Sequence, residues 1–327
     1  MSVLVTGGAG YIGSHTVRTL RGTGRSVVVL DTLENGHREL LGDTPLVVGD
    51  MSDRALVSRV CTEHDVTAVV HFAAYKAAGE SMHDPGKYFR NNTAGALALI
   101  EAVHAAGAKH VVFSSTAAVY GTPAHVPVAE TAERHPESPY GESKLMVERI
   151  LHWFSNAHGL RSVSLRYFNA AGAAMDGQIG EDWSHTENLV PVVMKALLER
   201  RASLQVFGTD YPTPDGTAIR DYIHVEDLAE AHVRALDYLE AGGETIAVNL
   251  GTGVGTSVKE IIDATERITG IRVPHENVGR RAGDPVALFA DNSRAKQVLG
   301  WQPVYGVDEI IESAWRWHSS DPDRFGH

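Results

Sequence analysis

The chain has 327 residues, 43% of them hydrophobic and 21% charged, a length that supports one large or two modest domains with a buried core. Its 32 glycines against 13 prolines, with no G-X-Y period, exclude collagen-like and low-complexity chains and direct the excess glycine to tight turns and phosphate loops. Its 41 acidic against 29 basic residues, a net charge of -12, exclude a general affinity for nucleic acid or an anionic membrane face, so an anionic ligand has to be met by locally placed arginines and helix ends. Met1 and Ser2 lead directly into an apolar run, which leaves no room for a signal peptide. No apolar stretch approaches the roughly 18 residues that span a bilayer. The single cysteine, Cys61, forms neither an internal disulfide nor a Cys-based metal site and fits a reducing, cytoplasmic location. The 17 histidines are scattered without HExxH or finger spacing, and no metal is expected.

In chain order, short β-branched runs predict strands at Val3 to Thr6, Ser26 to Leu30, Leu46 to Val48, Ala68 to Phe72, His110 to Ser115 and Ser162 to Arg166. Helical stretches lie between them at Asp53 to Glu63, Asn92 to Ala106 and Ser138 to His158. This alternation marks βαβ units, hence an α/β fold with a doubly wound parallel sheet of Rossmann type. After about residue 170 the rhythm changes, with loops around Asp210 to Gly216 and Gly251 to Thr256 and helices near Val190 to Arg201, Val225 to Leu239, Val258 to Thr269 and Val307 to Trp317. The expected division is a dinucleotide-binding domain over residues 1–170, joined by interleaved segments of the C-terminal half, and a smaller substrate-binding region over residues 171–327.

The strongest local signal is Thr6-Gly7-Gly8-Ala9-Gly10-Tyr11-Ile12-Gly13, between a strand and a helix. Read as GxxGxxG from Gly7 or GxGxxG from Gly8, it lets backbone N–H groups and the helix N-terminus approach a pyrophosphate. Asp31, after the second strand, is placed to accept hydrogen bonds from an adenosine 2'-hydroxyl and to repel a 2'-phosphate, which favours NAD over NADP. Asp50-Met51 and Phe72-Ala73-Ala74 fall at the same carboxyl edge of the sheet. Tyr140-Gly141-Glu142-Ser143-Lys144 puts a phenol and an ammonium on one helix face. The lysine and a positive nicotinamide ring are expected to draw the phenol down toward neutrality, as a general base for a sugar hydroxyl needs. Ser114-Ser115-Thr116 ends a strand at the same edge and offers hydroxyl partners.

These motifs resemble the extended short-chain dehydrogenase/reductases, and within them the UDP-galactose 4-epimerase family. The likeness is carried by VLVTGGAGYIGSHT (3–16), VVHFAAYKAAGES (69–81), FSSTAAVYG (113–121), SPYGESKLMVE (138–148), LRYFNAAGA (165–173), RDYIHVEDLA (220–229), NLGTG (249–253) and RRAGDP (280–285). The resemblance implies NAD as cofactor and a UDP-sugar as substrate, with Tyr140 as catalytic base, Lys144 as its partner and ribose ligand, and Thr116 as the hydroxyl between Tyr140 and the sugar. It implies cofactor contacts from Gly7, Gly10, Tyr11, Ile12, Gly13, Asp31, Asn35, Asp50, Met51, Phe72, Ala73, Ala74, Lys76, Asn92, Ser114 and Phe168, alongside Tyr140 and Lys144. On the substrate side it implies Asn169, Asn188, Leu189, Arg220, Tyr222, Arg281, Asp284 and Leu288, together with Lys76, Thr116 and Tyr140.

The reaction so implied removes hydride from sugar C4 and a proton from its hydroxyl, turns the 4-keto sugar over, and returns the hydride. It requires a tight grip on the nucleotide and a loose one on the sugar. Leu288 stands where some relatives carry a tyrosine against the hexose, which implies room for an N-acetyl group. Related 4,6-dehydratases carry an Asp-Glu pair after the serine or threonine, where this chain has Ala117-Ala118. A 4-epimerase of a UDP-pentose or UDP-glucuronate, and a catalytically dead NAD-sensing protein of the same fold, are the alternatives. The resemblance and the two long helices, Asn92 to Ala106 and Ser138 to His158, imply a homodimer.

Overall fold

Strands buried on both faces are written as apolar runs without alternation, and the first strand, β1 (Ser2–Thr6), is buried at every position. In a computed structural model of the chain, which describes residues 2–184, 186–199, 203–281, 284–322 and 324–325, β1 lies inside a seven-stranded parallel sheet, with a strand paired on each side. The other strands from the first half are β2 (Ser26–Asp31), β3 (Leu46–Val48), β4 (Val66–His71), β5 (His110–Thr116) and β6 (Arg161–Tyr167). All six expected strands form, within two residues of their predicted ends. Thr116 and Asp31 prove to be the last residues of their strands, which places both side chains at the sheet's carboxyl edge.

Helix α1 (Tyr11–Gly22) packs on one face, and α2 (Arg54–Glu63) on the other. After two short helices, α3 (Ala78–His83) and α4 (Pro85–Tyr88), the chain takes a π-type turn over Phe89–Gly95 before α5 (Ala96–Ala105). The regular helix expected from Asn92 therefore starts later. The widened turn coincides with Asn92, whose amide is bonded to the Tyr75 backbone in both directions; such turns are frequent at functional sites. Helix α6 (Pro139–His158) has Ser138 as its N-cap, the serine side chain accepting from the Gly141 N–H, and Pro139 at its first position suits a helix start.

The second half adds pieces too short for periodicity to reveal: β7 (Asn169–Ala171), β8 (Leu204–Phe207), β9 (Ile219–Arg220) and β10 (Tyr222–His224). Between them lies α7 (Leu189–Glu199); the end of the helix predicted as far as Arg201 lies outside the described residues. Helix α8 (Val225–Glu240) packs beside α1, and β11 (Ile246–Leu250) pairs with β6 as an edge strand of the main sheet. The chain continues through β12 (Thr256–Ser257), α9 (Val258–Thr269), β13 (His275–Val278), β14 (Ala287–Leu288), α10 (Ser293–Leu299) and α11 (Val307–Ser320). Strand order across the main sheet is β11-β6-β5-β4-β1-β2-β3, so it reverses direction between β1 and β4, the crevice where open α/β sheets take ligands. A separate apolar cluster of Trp183, Met194, Tyr222, Ile261 and Ile310 ties α7, α9 and α11 together above that edge. Among the described residues no helix is long and apolar enough to cross a membrane.

Candidate active site

Gly7 stands at φ +71°, and a Cβ there would lie 2.6 Å from the Ala73 nitrogen; a Cβ on Gly13 would lie 2.2 Å from the Gly7 oxygen. The loop thus presses on the carboxyl end of β4 while the first turn of α1 folds back on the loop, an approach only glycine permits. Helix α1 starts at Gly10 with no side-chain cap and no acidic residue in its first turn, and Tyr11 and Ile12 are half-buried there. Its leading N–H groups are left for an anion. The Asp31 carboxylate accepts from the N–H groups of Ala9 and Leu33, both at 2.9 Å, which fixes it beside the glycine loop. Phe72 and Ala73 both donate N–H to the Thr6 oxygen, with Ala74 following half-buried. Met51 is buried, while Asp50 and Asn35 are exposed in the loops after β3 and β2. An uncapped helix start, a glycine surface and a fixed acceptor carboxylate fit a dinucleotide with a free 2'-hydroxyl.

Tyr140 lies in the first turn of α6, directed at the end of β5. Its phenol is hydrogen-bonded to the Thr116 hydroxyl, and its N–H donates to Ser81 Oγ at 3.2 Å. One turn on, the buried Lys144 ammonium donates to the Ser114 carbonyl at 2.9 Å and lies 4.9 Å from the Phe113 ring centroid. Burial alone pulls the lysine down to about 7. The phenol departs from expectation: burial pushes it above its ordinary range, and only the Thr116 bond pulls the other way. Lys144 is not among the groups that lower the phenol, although its charge does lower the neighbouring His71 ring. Asn92 Nδ2 donates to the Tyr75 carbonyl at 2.9 Å and to Ser143 Oγ at 3.2 Å, tying the turn after β4 to α6. Ser114 Oγ meets the Tyr167 hydroxyl in a short hydrogen bond. Tyr167, Ser81 and Ser143 were not singled out as site residues from the sequence. Register reveals the first, since Tyr167 pairs with Thr116 across β5 and β6.

Lys76 Nζ lies 3.4 Å from Glu181 Oε1. The glutamate is 4% exposed; burial raises its carboxyl and Lys76 draws it back. Sequence reasoning missed Glu181, which carries no local motif. The Tyr11 hydroxyl donates to the Gly172 carbonyl at 2.6 Å, linking α1 to the same stretch of chain.

On the side expected to hold substrate, Arg220 and Leu288 are brought together as register partners of β9 and β14. Arg220 Nη1 donates to the Ile219 and Pro285 carbonyls, and Nη2 lies 3.6 Å from the Asp284 carboxylate. Arg281 lies over the Phe207 ring at 4.2 Å; Ala282 and Gly283 of the same stretch lie outside the described residues. Asn169 donates its N–H and Nδ2 to the Asp221 carbonyl, both at 3.0 Å. Asn188 and Leu189 start α7, the Asn188 carbonyl accepting from the Val192 N–H. The Tyr222 ring differs from its neighbours: it is 5% exposed inside the apolar cluster with Trp183 and Ile310. Leu288 and Phe168 pack on Val119, Tyr120, Val128 and Leu145, beside the strand that carries Thr116.

A model of the NAD dependent epimerase/dehydratase family matches residues 3–251. The UDP-glucose 4-epimerase of Lacticaseibacillus casei is 49% identical over 328 aligned positions, spanning 100% of this chain and 99% of its own. Among solved structures, UDP-glucose 4-epimerase from Brucella ovis in complex with NAD superposes with a TM-score of 0.94 at 47% identity, covering 96% of this chain and 97% of that one. The enzyme from Stenotrophomonas maltophila with bound NAD and formylated UDP-arabinopyranose gives 0.95 at 43% identity, covering 98% of each. Full-length identity at this level, joined to a glycine loop, an Asp31 and a Tyr140/Lys144 pair in one crevice, places the chain in the NAD-dependent epimerase/dehydratase family, among the UDP-glucose 4-epimerases.

Proposed function

We propose that this protein interconverts UDP-galactose and UDP-glucose by inverting sugar C4, with NAD retained through the cycle. The observation that carries the reading is the Tyr140 phenol bonded to Thr116 at the switch-point edge, one helical turn from a buried lysine. Bound NAD supplies an acceptor for the C4 hydride and gives it back, so the cycle has no net oxidation. Tyr140 Oη takes the proton of the C4 hydroxyl as that carbon is oxidised to a ketone, and returns it at the end. Thr116 orients the phenol and the hydroxyl toward each other. Lys144 is placed to meet ribose hydroxyls and to stabilise the phenolate once a ligand shares its surroundings.

Inversion demands that the ketone turn over while the nucleotide stays fixed. Arg220 and Arg281 suit the diphosphate, because guanidinium meets phosphate in bidentate fashion; Asn169, Asn188, Leu189 and Asp284 are assigned to the nucleotide, with Tyr222 beneath them. Binding energy is thereby concentrated away from the reacting carbon. The uncapped start of α1 and Asp31 are assigned to pyrophosphate and adenosine ribose, Lys76 and Asn92 to the nicotinamide half. Residues 1–170 with β11 form the cofactor-binding part and the remainder the substrate-binding part. The working unit is a cytoplasmic homodimer.

Purified protein mixed with UDP-galactose and no added NAD is expected to yield UDP-glucose, followed by chromatography of the nucleotide sugars. Absence of interconversion, or release of a 4-keto-6-deoxy product, counts against the reading. Leu288 in the wall beside Phe168 supports turnover of UDP-N-acetylglucosamine and UDP-N-acetylgalactosamine as well. A Leu288→Tyr variant is expected to lower kcat/KM for the N-acetylated pair about 10- to 200-fold relative to the plain hexoses; equal ratios in both proteins would refute the assignment of this wall.

A further inference from the structure

Three consecutive residues of β5 are each tied to one face of α6. Thr116 holds the Tyr140 phenol, the Ser114 carbonyl accepts from Lys144 Nζ at 2.9 Å, and Ser115 Oγ donates to Glu148 Oε1 at 2.6 Å. Tyr140, Lys144 and Glu148 follow each other at intervals of four, the spacing that stacks side chains along a helix. Glu148 in turn forms a two-point ion pair with Arg166 of β6, Nε to Oε1 at 2.9 Å and Nη2 to Oε2 at 2.5 Å. Arg166 is the register partner of Ser115. Its remaining arm donates to the Tyr120 hydroxyl at 2.8 Å, which donates to Asn249 Oδ1 of β11 at 2.7 Å. Glu148 is 9% and Arg166 2% exposed.

We infer that Glu148 and Arg166 are positioning residues, whose ion pair locks α6 onto β5 and β6 at the roll and slide that bring Tyr140 to Thr116 and Lys144 to Ser114. The inference rests on Tyr140 being the base. A buried ion pair adds little stability over a well-packed apolar pair, so packing alone does not call for one here. What the fork adds is geometry: two parallel bonds fix both distance and rotation, whereas apolar contacts leave a helix free to slide. A roll of about 10° moves an atom about 8 Å from the helix axis by roughly 1.4 Å, and a misplacement near 1 Å costs about 100-fold in rate. Both side chains are buried, and their hydrogen bonds run to each other, to Ser115 and to Tyr120.

The test compares wild type, Glu148→Gln and the paired replacement Glu148→Met/Arg166→Met, all carrying their cofactor. The paired variant refills the volume without leaving a lone charge, so its thermal midpoint and its calorimetric affinity for UDP should stay near wild type. Its kcat should fall about 100-fold with KM changed by less than about threefold. Glu148→Gln, which keeps one bond, should fall between. A readout free of turnover is the ionisation of Tyr140, taken as the tyrosinate absorbance of each protein minus that of its Tyr140→Phe counterpart. Loss of the Thr116 bond should move it to higher pH in the paired variant. Wild-type kcat and an unmoved tyrosinate titration in a folded paired variant overturn the inference, as does a loss of kcat matched by loss of UDP affinity. If the paired variant does not fold, Glu148→Gln decides: unchanged kcat overturns the inference, and a fall at constant KM upholds it. A wild-type protein without turnover of UDP-galactose counts against the proposed reaction, and the tyrosinate shift then decides on Glu148 and Arg166 alone.

Discussion

Lys144 carries its charge against the surroundings that make it useful. With a pKa drawn down to about 7 by burial, against about 10.4 in an unfolded chain, the native state binds fewer protons than the unfolded state between those values. Stability of the cofactor-free protein therefore rises with pH across that window, and the penalty is fully present below pH 7. Replacing Lys144 with Met removes the penalty and one hydrogen bond to Ser114, the latter worth about 1 kcal/mol. Urea unfolding of cofactor-free Lys144→Met should show a net gain of a few kcal/mol at pH 6, on the order of what 3 pK units represent less the lost bond, fading toward zero near pH 10. Its epimerase turnover should fall by about 100-fold or more. A variant no more stable than wild type at pH 6 would mean that the lysine is not strained by burial. Tyr140→Phe is the complementary case, with turnover lost and UDP affinity retained, because one hydroxyl goes and the ring stays. Both residues, with Thr116, Gly7 and Asp31, were legible as motif positions because their partners are close in sequence or set by the fold type. Glu148, Tyr167 and Glu181 were not. Their partners, Arg166, Ser114 and Lys76, come from strand register or from a loop returning 105 residues later, and no local spacing encodes that.

At the scale of elements, the long ones were legible because each buries a stripe or a face whose period can be counted. Helix α9 matches its expected span, Val258 to Thr269, helped by a Ser257/Glu260 capping box. The two-residue strands that bring Arg220 beside Leu288 were not legible, since two residues have no period. The π-type turn at Asn92 escaped for another reason, as it is dictated by the amide's bonds to Tyr75 rather than by the helix's own pattern. The glycine loop is the element whose sequence and geometry agree most closely, and alanine substitutions at Gly7 and, outside the loop, at Gly24 separate its two demands. Gly24 stands at φ +81° with nothing within 4 Å of where a Cβ would sit, whereas Gly7 combines φ +71° with the Ala73 backbone at 2.6 Å. Gly24→Ala should cost only the left-handed strain, about 1 kcal/mol. Gly7→Ala should cost more, about 2 to 4 kcal/mol, and should lose NAD on purification, read by acid extraction and chromatography. Equal costs with NAD retained would show that the loop does not need its close contact with β4.

Across the whole molecule, the histidines read from the sequence as scattered core or solvated side chains include several sealed in as neutral rings. Burial lowers His15 and His232 to about 4, and His71, His224 and His318 to about 3. Each folded value lies below the unfolded value of about 6.5, so the unfolded state takes up protons first. The contribution of each ring to stability is intact above pH 6.5 and is lost progressively as pH falls toward the folded value. Buried carboxylates raised by desolvation, Glu181, Asp221, Glu226 and Asp227, work in the opposite sense on acidification. A single-site difference isolates one histidine from that background. His232 is fully buried on α8, with Nδ1 2.8 Å from the Leu228 carbonyl and no hydrogen bond to Nε2, while its ring lies 4.6 Å from that of Phe72. His232→Leu gives up the Leu228 bond at every pH but removes the proton uptake of the unfolded ring. Relative to wild type it should therefore gain about 2 kcal/mol on going from pH 7.5 to pH 5, the difference set by values near 6.5 and 4. Urea midpoints of both proteins at half-unit pH intervals measure it. A difference between the two that stays constant from pH 7.5 to pH 5 would mean that His232 takes up its proton as readily in the folded protein as in the unfolded chain, and that the α8 side of the core admits water or a counter-charge.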